Sequence, residues 1–437
     1  MKTYGGGSKP SIAVYSVSPV ALMEMGGVKA MGMPSIMAFH RELGRKGFDV
    51  TYLQIGGDPQ NDLDQWFDGL RVKKMPHWTL PRILRKSRIF SKFLGLPLLV
   101  ISAFWPMFLF LRAEKERHNG RVVIYGHLAP GAILASLLSM TMRVPNVSRL
   151  YGTLLPYHFG ISEQYPVGKL RRYLNLLRYY DETLAFLMPS SAHVITDDGT
   201  LGDRLFRALR GPDKRLEFVR NGLDIDWKGV LEDGADPSIT ERYFENGWPL
   251  VVSAGRMIAW KRFDRTVEIA ARLREKGVNV NFLILGRGDE EPRIQEMIRQ
   301  RGLEDRVKIK NNTPHSEMPA FLMAADVVLL TQDYTNLSNT LLESLALERP
   351  VVVLDVGGTS MVANDGYNCL TISLANVHEE AAAAIVRILE STELRYQLRE
   401  GCRDWKGEGA YSWEKRTEVE VNLIKSLLNN ENYRCST

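Results

Sequence analysis

The stretch from Asp326 to Asp355 constrains the fold of this chain more than any other. It begins with an apolar run that ends at Leu330, continues through a polar loop, and then shows leucine and alanine at helical spacing until Pro350 stops the helix. A second apolar run, Val351–Leu354, follows. Short, continuously apolar runs are typical of strands buried on both faces of a parallel sheet. The stretch therefore predicts a strand–loop–helix–strand unit of an α/β fold.

The loop of this unit is a candidate phosphate site. It holds Asn336, Ser338 and Asn339, and it joins the carboxyl end of a strand to the first turn of a helix. Ligands of α/β proteins bind at that edge, and the free amides and positive dipole end of the helix suit an anion. Glu343 then lies about where a carboxylate reaches a ribose hydroxyl. The alternative is structural, because Thr340 and Glu343 have the spacing of a capping box, which only closes a helix start.

Length and composition indicate a multidomain cytosolic protein. A chain of 437 residues is too long for one ordinary core. A content of 45% hydrophobic and 24% charged residues is typical of soluble globular proteins. Cys369, Cys402 and Cys435 match neither a zinc pattern nor a disulfide framework, which fits a reducing compartment. We expect no secretory signal peptide at the N-terminus, and the net charge of +5 is mild.

The alternation of apolar runs and helical patterns extends over the first half of the chain. A loop with Gly26, Gly27 and Gly32 follows the first strand, but these glycines do not form the G-x-G-x-x-G of classical dinucleotide-binding proteins. The predicted strands of this half are Ser11–Tyr15, Phe48–Leu53, Val122–Tyr125, Asn146–Tyr151, Ala192–Thr196 and Leu216–Val219. The predicted helices are Pro34–Gly47, Pro130–Met142 and Gly168–Leu187.

A domain junction is predicted within residues 228–247, which carry glycine, aspartate and proline and lack a buried-strand pattern. The alternation resumes beyond them. Besides the opening stretch, the predicted elements are the strands Leu250–Ala254, Asn281–Leu285 and Val307–Ile309 and the helices Phe263–Lys276 and His378–Leu389. Two doubly wound α/β halves in tandem emerge, and a cleft between their strand ends is the expected ligand site.

A basic segment and then an apolar one interrupt the first half. Residues 71–92 are rich in lysine and arginine, include Trp78 and contain no acidic residue, and residues 93–111 are almost wholly apolar. The apolar part is close to the ~20 residues that span a bilayer. A single crossing would separate strands that we assign to one sheet, so we expect peripheral contact with an anionic membrane. The alternatives are a buried core helix beside a solvated basic loop, and nucleic-acid binding, for which no known reading module is found.

Five motifs stand in the order found in one enzyme family. They are Asn221-Gly222-Leu223-Asp224, Gly255-Arg256 with Lys261, Leu285-Gly286-Arg287-Gly288, Asn336 to Glu343, and Ser412-Trp413-Glu414. On these motifs the chain resembles glycosyltransferase family 4 and its relatives, over nearly its whole length. The resemblance implies the GT-B fold, in which two Rossmann-like doubly wound domains face a cleft and a C-terminal helix crosses back to the first. We place the domains at 1–227 and 228–415, and the crossover helix at 416–437.

The resemblance also implies an activity, the transfer of a sugar from a nucleoside-diphosphate sugar with retention at the anomeric carbon and with neither metal nor cofactor. Arg256 and Lys261 would stabilise the leaving diphosphate, although both also fit an ordinary solvated loop. The expected acceptor is a lipid-linked glycan or another cell-surface polysaccharide precursor, bound on the first half at the cytoplasmic face of a membrane. The residues expected to bind the donor are Gly27, Gly255, Arg256, Lys261, Gly286, Leu337, Ser338, Asn339 and Glu343.

Three departures from the family pattern concern the sugar-facing side. Thr335 stands eight residues before Glu343, where the family usually has a glutamate that contacts the sugar. Met361 stands near another expected glutamate, and Tyr151–Thr153 stands where many relatives have a histidine-containing loop. The candidate catalytic residues are Arg256, Lys261, Thr335 and His127, although a histidine such as His127 is more often structural than a catalytic base.

Two other functions stay open from the sequence. Thr335 motivates a non-catalytic, glycosyltransferase-like membrane subunit that kept the nucleotide pocket. A different GT-B enzyme, such as a nucleotide-sugar epimerase, is the other alternative, but such an enzyme acts on a soluble donor and does not need the basic, apolar segment. No lysine motif of the pyridoxal-dependent phosphorylases is found.

Overall fold

The computed structural model describes residues 12–19, 22–25, 28–31, 34–55, 65–67, 70–78, 93–153, 155–161, 167–223, 227–236, 238–311, 313–333, 337–409 and 412–429. The chain divides into two compact units. The first comprises Met1–Asp197, Leu201–Asp224 and Ser412–Thr437, and the second comprises Asp198–Thr200 and Ile225–Tyr411. The junction after Asp224 and the return at Ser412 lie close to the predicted domain boundaries.

The described strands form one large sheet in each unit and one small hairpin. Those of the first unit are β1 (Ala13–Ser18), β2 (Leu22–Met25), β3 (Val28–Met31), β4 (Asp49–Gln54), β5 (Gln65–Phe67), β6 (Leu70–Lys74), β7 (Val122–His127), β8 (Asn146–Leu150), β9 (Ala192–Thr196) and β10 (Leu216–Val219). Those of the second are β11 (Leu250–Ala254), β12 (Asn281–Leu285), β13 (Val307–Lys310), β14 (Val327–Leu330), β15 (Val351–Leu354) and β16 (Leu370–Ile372).

Helices connect these strands. In chain order the described α-helices are α1 (Pro34–Arg45), α2 (Gly95–Arg117), α3 (Leu128–Met142), α4 (Leu155–His158), α5 (Lys169–Arg178), α6 (Tyr180–Leu187), α7 (Gly202–Arg210), α8 (Trp227–Asp233), α9 (Ser238–Glu241), α10 (Phe263–Glu275), α11 (Glu291–Gln300), α12 (Met318–Ala324), α13 (Asn339–Ala346), α14 (Val377–Glu390), α15 (Thr392–Gly409) and α16 (Trp413–Asn429).

The first unit is doubly wound. Its sheet has the order β10-β9-β8-β7-β1-β4-β6-β5, parallel except for the β5–β6 pair. Phe39 of α1 and Ile424 of α16 pack in one hydrophobic cluster, with residues of β1 and β7. Met107 of α2 and Leu134 of α3 pack in another cluster, with the alternate residues of the same two strands. Because successive side chains of a strand point to opposite faces, these clusters lie on the two sides of the sheet.

The first unit corrects three predictions. The glycine loop before α1 is replaced by the hairpin β2–β3, although Gly26, Gly27 and Gly32 lie outside the described residues. The single helix predicted over Gly168–Leu187 is two helices that meet at Tyr179. At the break, the ring of Tyr179 stacks on the ring of His158, with centroids 4.3 Å apart. Amphipathic spacing in the sequence does not reveal such a contact.

The predicted basic segment is the third correction, because its first part is a strand of the sheet. β6 pairs with β4, and the guanidinium of Arg71 is partly buried and donates to Glu114 at 3.2 Å. The ammonium of Lys73 lies 4.7 Å from the centroid of the Phe110 ring. The charges of Arg71 and Lys73 are therefore stabilised within the fold, the first by a carboxylate and the second by an aromatic ring. Residues 79–92 lie outside the described part of the chain.

Helix α2 is long and apolar enough to cross a membrane by length and composition alone. Ala103, Met107 and Leu111 on one of its faces are buried in the core of the first unit. Strands β1 and β7, which precede and follow it in the chain, pair directly and in parallel in one sheet. The opposite face includes Ile101 and Trp105, which are 70% and 60% exposed. The structure thus shows a core helix with a second apolar face toward solvent.

The second unit confirms the strand–loop–helix–strand unit of the opening stretch as β14, α13 and β15. Its six strands are all parallel in the order β13-β12-β11-β14-β15-β16, and the four residues of β14 and of β15 are buried. Ile269 of α10 and Ile385 of α14 lie in the core cluster of this unit. The burial of whole strands explains why their sequences are continuously apolar rather than alternating.

Helix α16 returns to the first unit, as predicted. Leu223 pairs with Ser412 in a short parallel bridge. A Cβ on Gly222 would lie 2.4 Å from the amide nitrogen of Trp413, so a glycine there lets the two backbone segments meet. The guanidinium of Arg416 donates to Asn221 at 2.7 Å, which fastens the start of the helix.

Candidate functional site

The carboxyl edge of the second sheet gathers the loops that the sequence singled out. β11 lies between β12 and β14, and the three strands are parallel. The loops that follow these strands start at Gly255, Gly286 and Thr331. Since parallel strands bring their carboxyl ends to one edge, the three loops are neighbours around the end of β11.

Two of these loops pack backbone against backbone. The amide of Gly255 donates to the carbonyl of Leu285 at 3.0 Å, and the amide of Met257 donates to the carbonyl of Arg287 at 2.9 Å. Gly286 has a φ of 142°, and a Cβ on it would lie 1.9 Å from the carbonyl oxygen of Gly255. No other residue fits so close an approach. A glycine at 286 is thus what allows the two loops to pack against each other at this edge.

Arg256 and Lys261 both belong to the first loop, and the charge of Arg256 is near enough to act on the ammonium of Lys261. The Cδ and Cε atoms of Lys261 are each 3.9 Å from where a Cβ of Gly255 would stand, and its ammonium is 4.6 Å from the centroid of the Trp260 ring. Burial and then the positive charge of Arg256 lower the pKa of Lys261 to about 8. The structure therefore brings the two predicted cations together, at a place where an added anion would stabilise the charge of both.

Asp333 holds the third loop against the first, a role that the sequence analysis missed. Its carboxylate pairs with Arg262 at 3.1 Å and with Arg265 at 2.7 Å, and its amide donates to the carbonyl of Trp260 at 3.0 Å. Arg265 also donates to the carbonyl of Thr331 at 2.7 Å. These contacts fix the start of the loop that leads to α13. An acidic residue just after a strand was the available signal, but its distant partners are set by the fold.

Helix α13 starts at Asn339 with Ser338 as its N-cap residue. Thr340 is therefore the second helical residue, and the capping-box alternative for Thr340 and Glu343 is wrong. Glu343 lies in the second turn and is buried, with 5% of its surface exposed. Leu337 and Ser338 are buried as well, whereas Asn339 is exposed. Of the candidate residues, Thr335 and Gly27 lie outside the described residues.

His127 ends strand β7 in the interior of the first unit. It is fully buried, and its Nδ1 lies 2.8 Å from the hydroxyl of Tyr151. Burial, and then the charges of His40 and Arg149, lower the pKa of His127 well below its usual value. The imidazole is therefore neutral at physiological pH. His127 is therefore buried next to Tyr151 and is not exposed at the end of its strand.

A cavity of about 470 Å³ opens at the carboxyl edge of the first sheet. Its walls combine apolar, hydroxyl, aromatic and carboxylate groups. They are formed by Pro19, Leu128, Ala129, Pro130, Leu150, Tyr151, Gly152, Thr153, Leu155, His158, Tyr179, Asp181, Glu182 and Phe186. Thr153 donates to Glu182 at 3.0 Å. The segment Tyr151–Thr153, noted as a departure from the family pattern, thus lines a cavity of ligand size.

No metal centre is indicated within the described residues, where no group of three or more histidine, cysteine, aspartate or glutamate side chains is arranged to hold an ion. Cys369 and Cys402 are buried free thiols. Burial raises the pKa of both to about 12. Neither thiol is therefore a nucleophile at neutral pH.

Comparison with known proteins finds a family model that matches most of the second unit. Residues 239–405 match the family model described as glycosyl transferases group 1. Alpha-D-kanosaminyltransferase of Streptomyces kanamyceticus is 26% identical over 264 residues, which are 60% of this chain and 66% of that protein. The lipopolysaccharide core biosynthesis glycosyltransferase LpsE of Rhizobium meliloti (strain 1021) is 30% identical over 178 residues, or 41% of this chain and 50% of that protein. The chain thus spans about half to two-thirds of the length of these relatives.

Solved structures establish the fold class. The structure of Anabaena Alr3699/HepE in complex with UDP-glucose aligns with a TM-score of 0.65 and 13% identity, over 95% of this chain and 99% of that one. Likeness at this identity shows the fold alone. The two Rossmann-like units are those of the GT-B glycosyltransferases, which confirms the predicted fold class.

Proposed function

We propose that this chain is a glycosyltransferase, of family 4 type, that moves a sugar from a nucleoside-diphosphate sugar to an acceptor. The observation that carries the proposal is the pairing of Arg256 with Lys261 at the carboxyl edge of the second sheet. The pKa of Lys261 is lowered to about 8 by burial and by Arg256. Within the described residues, the nearby Asp264 and Asp333 pair with Arg262 and Arg265 instead. The pair is thus left to an external anion, such as a diphosphate.

The chemistry that such a site supports is bond exchange at the anomeric carbon. The bond from that carbon to the diphosphate breaks, and its electron pair goes to the leaving oxygen. A bond from an acceptor oxygen forms on the same face, and the acceptor proton passes to the leaving phosphate. Arg256, Lys261 and the first amides of α13 stabilise the negative charge that develops on the diphosphate. These groups do so without a metal ion, and the reaction retains anomeric configuration.

The remaining donor contacts follow from the same edge. Glu343 accepts hydrogen bonds from the ribose hydroxyls, and the glycines at 255 and 286 let the nucleotide approach the backbone of this edge. Gly27, which lies outside the described residues, is retained as a donor residue on the family resemblance alone. Leu337, Ser338 and Asn339 line the diphosphate side of α13. Thr335 acts on the sugar-facing side, and His127 contributes there through Tyr151, whose hydroxyl lies 2.8 Å from its Nδ1. HepE, of the same fold, was solved with UDP-glucose, which supports a nucleotide sugar as the donor.

The acceptor binds in the cavity of the first unit and is lipid-linked. Two observations support this assignment. The exposed apolar face of α2 belongs to the same unit as the cavity. One relative is named for lipopolysaccharide core biosynthesis, and a lipopolysaccharide carries its sugars on a lipid. The protein then works in the cytoplasm as a peripheral protein of the membrane face.

Thermal-shift measurement with nucleoside diphosphates and their sugars tests the donor site. A ligand at ~100 times its Kd adds about 2.7 kcal/mol of stability, which a melting curve resolves. Arg256→Ala should abolish the shift. Arg299→Ala, which removes a 64% exposed arginine side chain of α11 in the same unit, should leave it unchanged.

Turnover distinguishes transfer from binding alone. Release of nucleoside diphosphate that depends on an added glycan-lipid fraction supports a transferase. A specific thermal shift without turnover on any acceptor would indicate the non-catalytic subunit. Absence of a shift with every nucleotide would contradict the diphosphate site itself.

A further inference from the structure

Helix α5 carries a stripe of apolar side chains that faces solvent. Leu170, Tyr173, Leu174 and Leu177 are exposed by 75%, 69%, 57% and 63%. Their spacing of three, four and seven residues places them on one face of the helix. A soluble helix with that spacing normally buries the stripe against its own core.

The side chain of α5 that faces inward is polar. Asn175 is 8% exposed, and its amide donates to the carbonyl of His158 at 2.7 Å. Asn175 is therefore the buried side chain of α5, and Leu170, Leu174 and Leu177 do not pack against the core. Its apolar stripe is available to an outside partner.

The charge of α5 favours one kind of partner. The helix carries Lys169, Arg171, Arg172 and Arg178 and no acidic residue. A short helix with a leucine–tyrosine stripe between basic residues is the pattern of segments that lie in the headgroup region of anionic bilayers. A protein partner would have to match both the stripe and a dense positive charge.

Further exposed apolar groups lie on α6, which follows α5 directly in the chain, and just before α2. Phe93, before α2, stacks on Tyr180 at the start of α6, with ring centroids 5.1 Å apart. Leu184 and Leu187 follow on the same side of α6 and are 38% and 42% exposed. The same unit also carries the exposed apolar face of α2. Exposed apolar surface of this extent is characteristic of an interaction site.

The cavity of the first unit opens next to this surface. Tyr179, which joins α5 to α6, lines the cavity, as do Asp181 and Glu182 in the first turn of α6. We infer that α5, with the exposed faces of α6 and α2, lies on an anionic bilayer and holds the cavity at the membrane surface. A lipid-linked acceptor then keeps its lipid in the bilayer while its head group enters the cavity. This last step rests on the proposed function, whereas the bilayer contact does not.

Vesicle co-sedimentation of the full chain tests the contact. Wild type should pellet with vesicles of phosphatidylcholine and phosphatidylserine, weakly with phosphatidylcholine alone, and less as salt increases. The triple variant Leu170→Ser, Leu174→Ser, Leu177→Ser should lower the bound fraction about tenfold or more, and the double variant Arg171→Glu, Arg172→Glu should do likewise.

The matched controls lie on the second unit. Tyr396→Ser changes a side chain that is 60% exposed on α15, and Arg299→Glu reverses an exposed charge on α11. Both should pellet as wild type does. All variants change exposed residues, so their melting temperatures should be preserved.

Two results would overturn the inference. One is full vesicle binding by both α5 variants. The other is a wild-type oligomer that ignores vesicles and becomes monomeric when the three leucines are replaced, which would make the stripe a protein interface. The thermal shift with nucleoside diphosphates, measured on the same preparations, reports the donor site separately. Loss of that shift contradicts the proposed function but leaves the vesicle result intact.

Discussion

The two units share one architecture but place their charges differently. In the second, Arg256 and Lys261 stand at the edge of the sheet, and Asp333 fixes the loops beside them through partly exposed ion pairs. In the first, Arg416 and Glu420 pair at 2.9 Å with 1% of each side chain exposed. The hydroxyl of Tyr125 donates to the same glutamate.

The difference shows that similar polar residues serve unlike purposes in the two sheets. Burial lowers the pKa of His40 to about 4, and it also lowers the pKa of His127 well below its usual value. Those imidazoles stay neutral and help to hold the interior under α16. The cations of the second unit stay charged and within reach of solvent. A ligand that brings negative charge is therefore expected at the second unit and not in the interior of the first.

The largest expected effect comes from the buried pair of the first unit. Arg416→Ala leaves the buried Glu420 side chain without its ion-pair partner, so we expect a loss of about 3–5 kcal/mol in the free energy of unfolding. The measurement is denaturant unfolding combined with hydrogen exchange, which separates the two units. Protection should fall around α16 and the first sheet and persist in the second.

A paired replacement sharpens that test. Arg416→Met with Glu420→Leu removes both charges and should cost less than Arg416→Ala alone, because no uncompensated charge remains. If the double variant instead lost as much free energy of unfolding as the two single variants together, the pair would not be the main contact of α16.

The next effect concerns the two loops of the second unit that pack at Gly255 and Gly286. Gly286→Ala places a Cβ 1.9 Å from the carbonyl oxygen of Gly255. We expect about 3 kcal/mol of destabilisation, confined to the second unit, since both backbone segments must move. Gly407→Ala is the matched control, because a Cβ there meets nothing within 4 Å in a helix. Equal melting temperatures for the two variants would contradict the packing of the loops.

The sequence predicted the second unit well because its strands are buried on both faces. Continuous apolar runs identified β11, β12, β14 and β15, and the glycines and cations that follow them lie at one edge as expected. Spacing alone could not reveal Asp333, since its partners Arg262 and Arg265 lie about seventy residues away. Nor could it exclude a capping box of Thr340 and Glu343, which the structure does by placing the N-cap at Ser338.

The first unit was harder to predict because local pattern and tertiary contact conflict there. β6 reads as a basic segment, yet Arg71 and Lys73 find Glu114 and Phe110 inside the fold. The sequence of α5 has amphipathic spacing, but its buried residue is Asn175. Leu170, Leu174 and Leu177 face solvent. Periodicity indicates which residues share a face, and only the fold shows which way that face points.

A smaller effect should follow the loss of Asp333. Asp333→Asn keeps the size of the side chain but removes the charge that pairs with Arg262 and Arg265. The loop before α13 loses its anchor, so we expect the affinity for a nucleoside diphosphate to fall about tenfold, near 1.4 kcal/mol. Titration calorimetry measures it. Glu379→Gln, which removes an exposed pairing with Arg272 and Lys276, should leave the affinity unchanged.

The smallest effect is a pH dependence that only the second unit should show. Lys261 has a pKa of about 8 in the free protein, lowered by burial and by Arg256. A bound diphosphate raises that pKa, because it places negative charge beside the ammonium. Below pH 8 the free protein already carries the proton, so the affinity is flat. Above pH 8 binding must take up a proton, and the affinity falls by up to about tenfold per pH unit.

Calorimetry in buffers of different ionisation enthalpy counts the proton directly. Lys261→Arg is the control, because a guanidinium stays charged throughout this range and the affinity should remain flat to pH 9. His40 and His127 of the first unit contribute nothing here, since burial lowers the pKa values of both well below this window. A wild-type affinity that is equally flat above pH 8 would remove Lys261 from the diphosphate contact and leave Arg256 as the cation that distinguishes this edge from the other.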